Sequence, residues 1–134
     1  MKKIALFLMV AFCLCLTGCN KDAEFNAFIT ENRAVIDEIV KKIDSDPSEK
    51  GVEEAQKSFD AKKDSLKAKL DAIRTARGAQ VSTEVQNKFN TEVPADMKKL
   101  TDVQQKHMQK LATSGDAMNK FSKLIKDYQA IIQS

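Results

Sequence analysis

Apolar residues recur every three to four positions along most of this chain. From about Ala23 to Asp44, Phe25, Phe28, Ile29, Val35, Ile36, Ile39, Val40 and Ile43 share one side, with acids and lysines on the other. That is the period of an amphipathic helix. The same spacing predicts a second helix from near Pro47 to Arg77, with Val52, Ala55, Phe59, Leu66, Leu70 and Ile73 inward and Gly78 as a left-handed stop. A third stripe runs through Val85, Phe89, Val93, Met97, Leu100, Val103, His107, Met108 and Leu111, and a fourth through Met118, Phe121, Leu124, Ile125, Tyr128, Ile131 and Ile132. No strand-like alternation lasts more than a few residues and no internal repeat stands out, so the expected fold is all-α, an antiparallel bundle of four helices.

The residues between the stripes set the boundaries. Asp46 is placed to cap the second helix, with Pro47 at its first position and Glu49 as the capping-box acid. Gly51 costs about 1 kcal/mol inside a helix, so the firm part is expected to start there. Ser82 or Thr83 caps the third helix, with Gln86 three residues after Thr83. Pro94 falls within that helix, where its ring meets the carbonyl of Asn90, and predicts a kink or break near Thr91 to Val93. Ser114-Gly115-Asp116 divides the third helix from the fourth. The apolar period nevertheless stays in phase through Gly115, which leaves the alternative of one long helix from about Pro94 to Ile132 and three helices in all. Two polar residues interrupt the stripes. Asn32 either fixes helix register from a buried position or stands at the rim in water, and Lys62 is expected to pack its stem inward and turn its amine out.

Before the first stripe, Lys2 and Lys3 precede an unbroken apolar run from Ile4 to Leu16. At 13 residues it falls short of the ~20 needed to span a bilayer, and it has the form of a secretory signal. Its end, Leu16-Thr17-Gly18-Cys19, resembles the processing site of a bacterial lipoprotein signal peptide. The resemblance implies cleavage after Gly18, a diacylglyceryl thioether on Cys19 and usually a further acyl chain such as palmitate, which together anchor a protein stably. The expected organisation is then a signal peptide over 1–18, a lipidated tether over 19–24 and a bundle domain over 25–134. Asn20 is not the Asp that, by the same resemblance, retains lipoproteins at the inner membrane. The implied location is the inner leaflet of an outer membrane, facing the periplasm.

Composition changes the picture in two ways. Cys13 and Cys15 leave with the signal and Cys19 carries lipid, so no disulfide or thiolate metal site is available to the mature chain. The formal charge of +3 falls to +1 once Lys2 and Lys3 are gone, with both signs interleaved, which makes no electrostatic case for nucleic acid.

Reactive constellations are scarce. One histidine, His107, and no mature cysteine leave nucleophilic catalysis without a partner set, three scattered glycines make no phosphate loop, and Glu53 and Glu54 point to different sides of a helix. No enzyme activity, no small-molecule substrate and no cofactor are expected. The minor alternative is haem or metal binding through His107 and Met108, against the ordinary reading of methionines as core filler. Leu100-Thr101-Asp102-Val103-Gln104 resembles the Leu-Thr-x-x-Gln element of Spy-like periplasmic chaperones, which are all-helical and often carry two copies. Here it occurs once, since Ser82 stands where Leu would precede Thr83 to Gln86. The expected role is a lipid-anchored, non-enzymatic interaction or accessory module for an envelope protein partner, with a holdase-like chaperone as the alternative.

Overall fold

A computed structural model describes residues 20–76 and 80–133. The signal segment, Leu16, Thr17, Gly18 and Cys19 lie outside the described residues, as does Gly78. Five helical segments are present among the described residues: α1 (Asp22–Ser45), α2 (Glu49–Arg74), α3 (Thr83–Lys106), α4 (Met108–Thr113) and α5 (Ala117–Gln133). The ladder barely pauses between α3 and α4, because the His107 amide donates to the Val103 carbonyl at 3.1 Å and the Leu111 amide to the His107 carbonyl at 2.9 Å. These two segments form one arm with an elbow at His107, and the molecule is an all-α bundle of four arms.

Contacts at the ends fix the directions. Asp22 receives the amide of Ser82 and the Lys21 amide donates to Gln80, so α1 and α3 start at the same pole. Asp44 meets Lys106 and His107 at the opposite pole. Glu49 meets Lys120 at the starts of α2 and α5, and Arg74 donates to the carbonyls of Ile131 and Ile132 at their ends. Consecutive arms are therefore antiparallel. α1 packs on both α2 and α3, and α2 on α5.

Each helix buries most of the stripe its sequence announces, with Met108 of the third stripe left exposed. Phe28, Ile36, Ile39, Ile43, Phe59, Leu66, Leu100, Leu111, Phe121, Leu124 and Tyr128 are all buried in one core, each contributing about 1.5–3 kcal/mol by removal from water. Phe59 and Tyr128 meet edge-on at 6.5 Å, and Phe25 edge-on with Phe89 at 5.5 Å. Gly115 takes φ +55° between α4 and α5, a conformation that glycine adopts without a Cβ penalty. The chain reverses there, which sets aside the single helix from Pro94 to Ile132.

Several expectations about boundaries need correction. Ser48, not Asp46, caps α2 by accepting from the Gly51 amide, and Asp46 instead accepts from the Ser48 amide at 3.2 Å. Glu49 does not reach back as a box acid, because Lys120 holds its carboxylate. Gly51 is inside the helix and is required by a close approach: a Cβ there would lie 1.8 Å from the Asp46 carbonyl oxygen. Ser82, rather than Thr83, caps α3 through the Val85 amide at 3.3 Å. Pro94 causes no break, since α3 runs unbroken past it and pauses only at His107; the proline stands on the exposed side of the arm. Lys62 is exposed rather than packed inward, a position that keeps its ammonium hydrated. α1 begins at Asp22, inside the segment expected to be tether.

Candidate functional site

Two polar clusters sit where helices meet. The first is at the middle of the bundle. Asn32 on α1 and Asp96 on α3 are polar side chains in the core, 0% and 1% exposed. The Tyr128 hydroxyl of α5 donates to Asn32 Oδ1 at 2.8 Å, and Asn32 Nδ2 donates to Asp96 Oδ2 at 3.3 Å. Lys99 Nζ lies 3.0 Å and Arg33 Nε 3.7 Å from the other Asp96 oxygen. These cations continue outward, Arg33 to Glu92 and Lys99 to Asp37, each at 2.7 Å. A buried carboxylate is tolerable only when its charge is countered and its lone pairs are filled, and both conditions hold here. Burial pushes the Tyr128 phenol above its ordinary range, so it stays a neutral donor. Among the described residues no buried side-chain nitrogen or oxygen lacks a partner. The cluster ties three arms together, and it resolves the two readings of Asn32 in favour of the buried one.

The second cluster is at the elbow. His107 Nε2 and Lys106 Nζ both lie 2.7 Å from Asp44 Oδ1, and the Lys106 hydrogen bond, followed by that of His107, holds the Asp44 carboxyl below its ordinary value of 3.8. The side chain of His107 is 12% exposed. Met108 points away into solvent at 51% exposure, which corrects its assignment to the inner stripe of the third helix. His107 is held by Asp44, and Met108 beside it lines the same depression. Met118 accepts a weak bond from Gln104 at 3.6 Å, and Met97 lines a groove of about 190 Å³ between α3 and α5 with Val93, Pro94, Tyr128 and Ile132. Among the described residues no group of three His, Cys, Asp or Glu side chains is placed to hold a metal ion.

Leu16, Thr17, Gly18 and Cys19 lie outside the described residues, so the nearest described point to the lipidation motif is Asn20, at the pole where α1 and α3 start. The residues that sequence reasoning missed are Asp96 and Asp44. For Asp96 a signal existed: it stands three residues after Val93 and four before Leu100, on the apolar stripe of α3 as Asn32 is on that of α1. Asp44 carried none, because its partners come from 62 and 63 residues away.

Known proteins supply one comparison. The family model described as mitochondrial ATP synthase B chain precursor matches residues 18–115, from the residue before Cys19 through α1 to α4 and the turn at Gly115. No curated protein and no solved structure matches the chain.

Proposed function

The chain belongs to the mitochondrial ATP synthase B chain precursor family, and from that premise we propose that it is a membrane-anchored, non-enzymatic helical subunit, an interaction or accessory module of an envelope protein assembly. The observation that carries this reading is the family match over residues 18–115, whose description names one chain of a larger enzyme. The bundle is compatible with it: the core is closed on itself and, among the described residues, its buried polar side chains are paired.

No helix among the described residues is long and apolar enough to cross a membrane. In this reading the attachment is the lipid on Cys19, supported by Leu16-Thr17-Gly18-Cys19, and Asn20 favours the outer membrane's periplasmic leaflet. A holdase would present a broad apolar face to clients; the exposed large apolar side chain among the described residues is Met108. Labelling of cells with a radioactive or alkyne-tagged palmitate tests the anchor. The native chain takes up label and partitions into detergent, and Cys19→Ala loses both. A Cys19→Ala chain that still partitions into detergent at an unchanged processed mass contradicts the reading.

A further inference from the structure

The elbow pole carries a surface that neither the family match nor the anchor accounts for. Three shallow depressions meet there. One, of about 530 Å³, is lined by Lys106, His107, Met108 and Lys110; a second, of about 350 Å³, shares Lys110 with it and reaches Asp46 and Pro47; a third, of about 480 Å³, shares Asp46 and adds Lys41, Lys42 and Lys50. Together they form one concave band around the ends of α1 and α3, the start of α2, and α4.

Its charge is unbalanced in a specific way. Among the described residues the amines of Lys41, Lys42, Lys50 and Lys110 have no ion pair or hydrogen bond. Five lysines line the band against three carboxylates, Glu38, Asp46 and Glu54. Among the described residues Glu38, beside Lys41 and Lys42, holds no ion pair, and the other carboxylates around them are engaged. Asp44 takes Lys106 and His107, Glu49 takes Lys120, and Glu54, within range of Lys42 and Lys50, gives its hydrogen bond to Lys57. Asp46 accepts the Ser48 amide. In the first depression, beside Lys110, Met108 stands 51% exposed, an adaptable apolar side chain of the type enriched at binding surfaces.

We propose that this pole is a docking surface for an acidic protein segment that sets an apolar side chain against Met108 while its carboxylates meet Lys41, Lys42, Lys50 and Lys110. A protein partner is favoured over a bilayer by position. Asn20, the described residue next in sequence to Cys19, belongs to the opposite pole, and the 24 residues of α1 separate the two poles by about 36 Å. The proposal rests on the accessory-module reading and gives that module its contact face.

A photoreactive residue in place of Met108, in the full lipidated chain in intact cells, tests it, with the same residue in place of exposed Lys67 on α2 as the comparison. The expected result is an adduct from position 108 and not from 67, mapping to a segment rich in Asp and Glu. Lys50→Glu with Lys110→Glu, both on exposed or half-exposed faces and holding no native bond, lowers its yield about tenfold while the circular dichroism melt stays unchanged. Equal adducts from both positions, adducts to phospholipid, or a yield indifferent to the charge reversal overturn the proposal. A protein adduct from 67 alone overturns the docking surface and leaves the module reading standing. No protein adduct from either position, with no stoichiometric partner by general crosslinking, overturns both.

Discussion

Removing the Asn32 amide leaves the Tyr128 hydroxyl without its acceptor and one Asp96 oxygen without its donor, all in a dry interior. An orphaned buried polar group costs more than its hydrogen bond contributes. Asn32→Ala is therefore expected to lower unfolding free energy by about 2–4 kcal/mol, and Tyr128→Phe, which removes a donor but keeps the ring against Phe59, by about 1 kcal/mol. Urea unfolding of the two single variants and the double variant measures both. Strict additivity would mean that the pair does not act together. Asp96 makes the same point about reading sequences. Its place on the stripe was visible, but its tolerance for burial depends on Arg33 and Lys99 arriving from α1 and from one turn further along α3, and a one-dimensional pattern cannot show that.

At the scale of elements, the stripes were legible because burial of Phe, Leu and Ile dominates every helix, and the bundle followed from them. The ends were less legible, because they are decided by tertiary partners. Glu49 looked like a box acid until Lys120, brought by α5, and the Ser114 hydroxyl, in the turn before it and 3.2 Å from the Glu49 amide, reached it. Pro94 predicted a break that packing on α1 overrides. Its local penalty remains, so Pro94→Ala is expected to restore one backbone bond and raise stability by about 1–3 kcal/mol, seen as a higher melting temperature. A lower one would show that the proline is needed to shape the α3–α5 groove. The elbow pole also carries a pH dependence. Asp44, held down chiefly by Lys106, and Glu49, held down chiefly by Lys120, both titrate below their ordinary values of 3.8 and 4.5. The unfolded chain then binds more protons than the folded one in that range, so stability is full above about pH 5 and falls as pH drops through 4 and below. The urea midpoint is expected to decline between pH 5 and pH 3, and to decline less in Asp44→Asn/Glu49→Gln. An equal decline in both proteins would place the acid sensitivity elsewhere.

For the whole molecule, the proposed contact face lies at the pole opposite Asn20, across a bundle whose middle is locked by Asn32, Asp96 and Tyr128. The fold class and the successive antiparallel arms could be read from residue spacing; the turn at Gly115 could not, because the apolar period stays in phase through it, and only the glycine itself pointed to it. The proposed contact face could not, because Lys41, Lys50, Met108 and Lys110 come from three separate segments whose depressions join only when α1, α2 and α4 converge. The central claim is that this chain is a subunit-like module with a protein partner. Chemical crosslinking in intact cells, followed by affinity purification of the full chain and mass spectrometry, tests it most directly. One dominant partner in stoichiometric amount is the predicted result; a diffuse spread of client proteins, or none, would contradict it.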